Sequence, residues 1–348
     1  MKPVRVLVID DSLTMRRLIR LALTADPRIE VVGEACNGLQ ARQKIAELRP
    51  EVLTLDVEMP DESGLAFLAR LMAARPMPVV MVSAETHAGS AAAIEALSLG
   101  AVECIGKPAF ADKAETFAML PDIVVAAATA RVRPRAARPA PAPAGRVPKG
   151  AQDFAWNGRY VLIGASTGGV DALQQILASF PANCPPTVIA QHMPGAFLAS
   201  LVQRLNRTLA PEITLARDGA RLRPGQVHIA PGGEAHLTIS GGKPACRLEA
   251  GDRRNCHRPS VDVLFESAVP LRRRAIGVIL TGMGRDGAAG LLKMRQAGAI
   301  CLAQDRDSSV VWGMPGSAVE MGAAERVLPL CELGPEILKS ASRSAVPA

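Results

Sequence analysis

The chain has 348 residues, 49% of them hydrophobic and only 3% aromatic, so it can form two domains with cores of Val, Ile, Leu and Ala. Its seven cysteines are odd in number, scattered and without a Cys-x-x-Cys pair, which argues against a disulfide framework or a cysteine zinc site. The net charge is +7, but six basic residues and no acidic one fall between 131 and 149; the remainder is nearly neutral, and no folded nucleic-acid groove is expected.

Residues Met1 to Arg5 lead directly into a strand and not into a signal-peptide apolar region. No uncharged apolar run approaches the length of a membrane span, so a cytoplasmic protein without membrane insertion is expected. Val4 to Ile9 has the composition of a buried strand and ends in the carboxylate pair Asp10-Asp11. The helix that follows is predicted to bury Met15, Leu18, Ile19 and Ala22 on one face. Val31 to Ala35 is predicted as a strand, followed by a helix through Ala41, Ile45 and Leu48. Val52 to Leu55 is a strand ending in Asp56. Val79 to Val82 runs into Ser83, a helix covers about Ser90 to Leu99, and Ala101 to Ile105 precedes Lys107-Pro108. Such alternation implies an α/β unit over residues 1–128, a doubly wound five-stranded parallel sheet of flavodoxin-like type with right-handed crossovers.

Ligands of such sheets bind beyond the carboxyl ends of the strands, where Asp10, Asp11, Asp56, Ser83 and Lys107 all fall. Each alone reads as a helix cap, a turn former or a solvated loop residue. Their convergence carries the information. Three neighbouring carboxylates repel one another unless a hard cation bridges them, and few protein ligands plus waters suit Mg²⁺. A metal at Asp10, Asp11 and Asp56 prepares Asp56 to attack a phosphoryl donor, with Ser83 and Lys107 placed on the phosphoryl oxygens. Asp10-Asp11, Asp56-Val57-Glu58-Met59-Pro60 with Gly64, Ser83-Ala84 and Lys107-Pro108 resemble the motifs of the response-regulator receiver domain. The resemblance implies phosphorylation of Asp56 by a histidine kinase. Cys104 departs from it, standing where receivers commonly carry an aromatic switch residue; this puts the rotamer switch in question but not the phosphorylation chemistry.

Pro121 and Ile123-Val124-Val125 begin the last helix of this unit. From Arg131 the sequence becomes rich in Arg, Pro and Ala, which cannot bury a core and favours extended, semi-stiff backbone. Residues 129–153 are read as a linker and tether, in preference to a binding element for acidic partners.

The second unit, 154–348, opens with the apolar run Tyr160 to Ile163. It ends in Gly164-Ala165-Ser166-Thr167-Gly168-Gly169, and Val170, Leu173, Ile176 and Leu177 recur beyond it at helical spacing. Ser166 is therefore predicted at a strand-to-helix turn, the place of a nucleophile in G-x-S-x-G. A plain structural turn or a phosphate-binding turn fits that stretch as well. Thr187 to Gln191 is an apolar strand ending at His192, and Ala275 to Leu280 another, leading through Thr281-Gly282-Met283-Gly284-Arg285 to Asp286. Nucleophile, base and orienting carboxylate then share one sheet edge. Their chain order, Ser, His, Asp, is not the order of α/β-hydrolases. His228 and His236 are predicted in one hairpin across Pro231-Gly232-Gly233; with His257, after a basic loop, they are weaker candidates. Gly282 to Gly287 also satisfies G-x-G-x-x-G with Asp305 downstream, but Asp286 within that loop would repel a pyrophosphate.

Taken together, the segments Gly164 to Gly169, Gln191 to Pro194, Ile229 to Gly233, Arg258-Pro259-Ser260-Val261-Asp262, Thr281 to Gly287, and Ala303-Gln304-Asp305 through Trp312-Gly313-Met314-Pro315 resemble the motif series of the chemotaxis protein-glutamate methylesterase (CheB) family. The resemblance implies a doubly wound α/β methylesterase domain with a β-hairpin that needs no cofactor of its own. It also implies hydrolysis of glutamate methyl esters on the cytoplasmic helices of methyl-accepting chemoreceptors, with release of methanol, in a monomer phosphorylated by a CheA-type kinase. Ser166 would attack, His192 act as base and then acid, and Asp286 orient it, with the Met283 N–H at the oxyanion and Thr167 lining the site. Some members also deamidate receptor glutamines. Arg306 stands where the family often has an acidic residue, without consequence for the three catalytic positions. A response regulator that only docks, without esterase activity, is the alternative; a DNA-binding output is disfavoured by strand-helix alternation in place of a helix-turn-helix.

Overall fold

A computed structural model of the chain describes residues 2–83, 87–107, 117–132 and 154–343. The chain divides into two compact units, Met1–Ala140 and Pro141–Ala348. Most of the Arg/Pro/Ala-rich stretch, residues 133–153, lies outside the described residues, as do Ala84 and Pro108.

In the first unit, β1 (Val4–Ile9), β2 (Ile29–Ala35), β3 (Val52–Asp56), β4 (Val79–Ser83) and β5 (Glu103–Gly106) form one sheet. Its order is β2-β1-β3-β4-β5, with every neighbouring pair parallel. Helices α1 (Leu13–Thr24), α2 (Gly38–Leu48), α3 (Gly64–Ala74), α4 (His87–Leu99) and α5 (Leu120–Ala128) connect or follow the strands. All of β3 is buried, as a parallel strand covered on both faces requires, and this is why its sequence is mostly apolar up to Asp56. Ser12, Asn37 and Ser63 cap α1, α2 and α3 by accepting the N–H of Met15, Gln40 and Ala66. The stripe expected on α1 is rotated. Ile19 and Leu23 are buried while Met15, Leu18 and Ala22 are half-buried.

The second unit holds a seven-stranded parallel sheet. Its strands are β6 (Tyr160–Ala165), β7 (Thr187–Gln191), β8 (Glu212–Leu215), β9 (Gln226–Ile229), β12 (Ala275–Ile279), β13 (Ile300–Gln304) and β14 (Arg326–Leu328). The order is β14-β13-β12-β6-β7-β9-β8. The chain thus starts in the middle at β6, winds outward through β7, and returns to the other side at β12. The carboxyl ends of β6 and β12 flank the topological switch point, where such folds bind their ligands. Helices α6 (Gly169–Ala178), α7 (Gly195–Thr208), α8 (Val261–Ser267), α9 (Ala288–Gln296), α10 (Met314–Glu320) and α11 (Leu330–Ala341) accompany it.

The small hairpin is not the expected one. His228 lies in β9, between β7 and β8, and His236 in β10 (Ala235–Ile239), which pairs antiparallel with β11 (Cys246–Ala250). Val227, His228 and Ile229 are all buried, which an interior strand satisfies and an exposed hairpin does not, so Pro231-Gly232-Gly233 leads the chain off the sheet. All seven cysteines are free. Burial pushes the thiols of Cys184, Cys246 and Cys301 up to about 12, so these three serve as packing.

Candidate active site

All six residues of β6 are buried, and the chain leaves the sheet at Ser166, which is 8% exposed. The turn is fixed from three sides. Ser166 N donates to Thr281 O at 3.0 Å, Gly169 N to Ser166 O at 2.7 Å, and Gln191 Nε2 to Ser166 O at 3.0 Å. Gly168, at φ 78°, caps α6 in the left-handed region that lets the strand break into a helix. Gly282 crosses so closely that a Cβ there would lie 2.7 Å from Ser166 Cβ.

His192 follows β7, with its N–H on Ala165 O at 3.0 Å, alongside the serine turn. Its Nε2 is 2.8 Å from Asp286 Oδ2, while the buried Nδ1 has no hydrogen-bond partner. One ring nitrogen is committed to the carboxylate and the other is left to take a proton. The structure forms no hydrogen bond between that Nδ1 and Ser166; catalytic hydrogen bonds of this kind commonly tighten only with substrate.

Asp286 is 1% exposed and stands before α9 in a ring of donors. Oδ1 accepts Ser260 Oγ and Asn255 Nδ2, each at 2.8 Å, and Asp262 N at 3.3 Å. Oδ2 accepts Val261 N at 2.6 Å beside the histidine. Burial alone would raise this carboxyl, but the His192, Asn255 and Val261 hydrogen bonds outweigh it and hold the group well below the usual carboxylate range. Two of the donors are the first amides of α8, whose N-terminus favours negative charge. Ser260 acts twice, capping α8 by accepting Val263 N and donating to Asp286.

Three contributors escaped the sequence reading. Ser260 and Val261 belong to the Arg258–Asp262 motif, which gives them no role of their own, and Asn255 lies outside every motif. His257, ranked among the weaker histidines, stacks on His192 with ring centroids 3.7 Å apart and planes 9° from parallel. Burial, together with nearby His192 and Arg253 and against a smaller pull from Asp286, pushes the His257 imidazole down to about 4, so the ring is neutral at physiological pH. The signal present was position: Asn255 and His257 sit three to five residues before Ser260. His228 is remote from this set, packed in β9 with Nδ1 3.1 Å from Thr214 Oγ1. His236 instead supports it, accepting Ser260 N on Nδ1 at 3.1 Å.

Met283 lies half-buried in the loop after β12, and its N–H meets no acceptor among the described residues. Thr167 is buried, and its carbonyl accepts Thr281 Oγ1 at 2.9 Å. Arg306 rests over the Trp312 ring, 5.8 Å from its centroid.

The first unit gathers its own cluster at the β1/β3 switch point. Asp10 and Asp56 are buried and Asp11 exposed, with ligand atoms of all three within 4.8 Å of one another. Lys107 Nζ pairs by charge with both, 3.0 Å from Asp10 Oδ2 and 2.7 Å from Asp56 Oδ2, yet neither Oδ2 accepts an aligned hydrogen bond. Buried, anionic oxygens that share a single lysine, on a hard donor set with Asp11, fit Mg²⁺. Burial pushes the Asp56 carboxyl up to about 6, with Asp10 adding to the rise and Lys107 opposing it. The Asp10 carboxyl is raised by the same desolvation. Burial opposes the charge on Lys107, but the two carboxylates outweigh it and raise its pKa. Ser83 ends β4; its side chain lies outside the described residues. Cys104 is buried in β5.

Two doubly wound units, one with a carboxylate–lysine cluster and one with serine, histidine and aspartate at a switch point, define a class: a receiver joined to a hydrolase-type unit. Comparison with known proteins gives the family. Residues 161–337 match the CheB methylesterase family and residues 6–118 the response regulator receiver domain. A protein-glutamate methylesterase/protein-glutamine glutaminase of Agrobacterium fabrum is 54% identical over 338 residues, 96% of each chain. One from Caulobacter vibrioides is 54% identical over 349 residues, 98% of this chain and 99% of that one. The crystal structure of the Thermotoga maritima CheB methylesterase catalytic domain aligns with TM-score 0.50 and 40% identity, over 52% of this chain and 98% of that one. The chain belongs to the CheB methylesterase family and carries an N-terminal response-regulator receiver domain.

Proposed function

We propose that the protein is a phosphorylation-activated serine esterase that hydrolyses glutamate methyl esters on the cytoplasmic helices of chemoreceptors and deamidates receptor glutamines. Residues 1–128 form the receiver, 129–153 the linker and 154–348 the catalytic domain of a cytoplasmic monomer. The observation that carries the reading is the His192–Asp286 pair, 2.8 Å apart at the switch point beside Ser166.

Ser166 Oγ attacks the ester carbonyl while its proton passes to His192 Nδ1, the nitrogen turned away from Asp286. The resulting oxyanion accepts the Met283 N–H, a contact of a kind that lowers the barrier by about 3 kcal/mol. Collapse breaks the bond to the methoxy group, which takes the proton from His192 and leaves as methanol. Water then attacks the acyl-serine, giving one proton to His192, and the second collapse returns that proton to Ser166 Oγ and releases the glutamic acid side chain, which loses the other proton to solvent as it ionises. With glutamine the same steps release ammonia. Asp286 holds the Nε2 proton and stabilises the imidazolium, and Thr167 lines the site.

Asp56 accepts a phosphoryl group from a CheA-type kinase, and this raises the esterase rate. Asp10, Asp11 and Asp56 would hold Mg²⁺, which when bound offsets charge on the transferring phosphoryl group. Lys107 and Ser83 contact the phosphoryl oxygens. Methanol release from methylated receptor membranes tests the reading: Ser166→Ala is expected to lower it by roughly 10⁴-fold or more. Equal rates would sink it. An acyl phosphate with Mg²⁺ should raise the wild-type rate, and Asp56→Asn should abolish that rise.

A further inference from the structure

The turn at Asn255-Cys256 is held more firmly than a surface loop requires. Arg254 N donates to His257 O at 3.0 Å and His257 N to Arg254 O at 2.9 Å, closing a narrow ring. Both central residues have positive φ, 51° at Asn255 and 67° at Cys256, as in a type I′ turn, where Asn is favoured at the first position. Arg254 forks onto Glu266 of α8 at 2.6 and 2.7 Å, and Lys293 of α9 reaches the same carboxylate at 2.6 Å. Charge-assisted bonds of this kind fix the base of the turn.

What the turn delivers is one amide group between two carboxylates. Asn255 Nδ2 is 2.8 Å from Asp286 Oδ1 and 2.8 Å from Asp262 Oδ2, and its two hydrogens serve both at once. Asp262 is 3% exposed, with its other oxygen on Gly290 N at 2.6 Å. Two buried carboxylates bridged by a single atom tend to share a proton unless donors keep each one satisfied.

We propose that Asn255 is a positioning residue of the esterase reaction, clamping Asp286 against His192 Nε2 and separating Asp286 from Asp262. This rests on the esterase reading above. Ser260 and Val261 also reach Asp286, but they come with the first turn of α8; Asn255 joins the two carboxylates. If Asp286 took up a proton shared with Asp262, it would lose its hold on the Nε2–H of His192, and the ring could turn its wrong nitrogen to Ser166.

The full-length protein tests this with two variants. Asn255→Gly keeps positive φ without strain and removes both donors. Asn255→Asp keeps the shape and substitutes a third carboxylate. In Asn255→Gly, kcat for methanol release should fall roughly 10- to 100-fold, as when a hydrogen bond to a charged group is lost, with KM unchanged. The acid limb of the kcat/KM profile should move to higher pH, further in Asn255→Asp, because the clamp favours the ionised carboxylate. Groups facing Asp286 are His192, His257, Asp262 of α8 and Arg254 of the turn; both variants leave them in place.

A wild-type kcat with an unmoved acid limb in Asn255→Gly overturns the proposal. So does a fall in kcat that matches a loss of folded protein and leaves the limb in place, the behaviour of a merely structural residue. If the glycine variant does not fold, the acid limb of Asn255→Asp decides in the same way. Failure of the esterase reading is distinguishable, since there Ser166→Ala would match wild type whatever Asn255 does.

Discussion

Asp56 closes β3 and Asp286 follows β12; each stands at the switch point of a doubly wound sheet, and they are 2% and 1% exposed. Their surroundings handle the buried charge in opposite ways. Asp286 is ringed by fixed donors from α8, the Asn255 turn and His192, and its carboxyl is held well below the usual range. Asp56 has one aligned donor, Glu58 N at 3.3 Å on Oδ1, and a lysine at 2.7 Å, and its carboxyl is pushed up to about 6. Saturated oxygens suit the role proposed for Asp286, which is to stay ionised and unreactive through a catalytic cycle. Oxygens left with few donors suit the role proposed for Asp56, which is to gain a metal and a phosphoryl group. The same fold position serves both tasks because the fold supplies only burial, and local donors decide the chemistry.

The sharpest way to break this contrast is to neutralise each aspartate in turn. Asp286→Asn keeps the volume but presents an amide to His192, which favours the wrong tautomer, so kcat for methanol release should fall by roughly 10⁴-fold. Asp56→Asn should cost only the stimulation by acyl phosphate. If the two variants lower the unstimulated rate alike, the division of roles between the aspartates is wrong.

Proton linkage offers a second test, of smaller size. The Asp56 carboxyl sits at about 6 when folded against an ordinary 3.8. Between those values the folded unit keeps a proton that the unfolded chain has released, so its stability falls as pH rises through the window. The shift corresponds to about 3 kcal/mol at most. For Asp286, whose folded value is depressed, the sign reverses: its contribution is present above the ordinary value and lost as pH falls below it. Denaturant unfolding followed across this range should show Asp56→Asn stabilising the first unit above pH 6 relative to wild type. An unchanged or lowered midpoint would contradict the assignment.

Much of this was readable beforehand, for a definite reason. Parallel strands buried on both faces leave long apolar runs, so β1, β3, β4, β6, β7 and β12 announced themselves, and whatever follows their carboxyl ends is placed by topology. Asp10, Asp56, Ser166, His192 and Asp286 are all of that kind. Asn255 and His257 are not, because they reach the site from a tight turn whose position depends on an ion pair to α8 and on no strand. The β9 misreading has the same root: Gln226–Ile229 is too short for periodicity to tell an interior strand from a hairpin arm.

The smallest predicted effect concerns the oxygens left open in the first unit. Asp10 Oδ2 and Asp56 Oδ2 are buried without an aligned donor, and Lys107 neutralises only part of the charge they carry with Asp11. Mg²⁺ should therefore bind the folded unit and not the unfolded chain, and at ten times its Kd should add about 1.4 kcal/mol to stability. Because Asp56 must be ionised to act as a ligand, the gain should shrink as pH falls below about 6, the value to which burial has raised it. Thermal unfolding of the full chain with and without MgCl₂ reads this directly, and the saturated Asp286 ring predicts no matching shift in the second unit. A Mg²⁺ effect that survives in Asp56→Asn, or that grows in acid, would mean that some other group binds the ion and that Lys107 alone serves the oxygens at the β1/β3 edge.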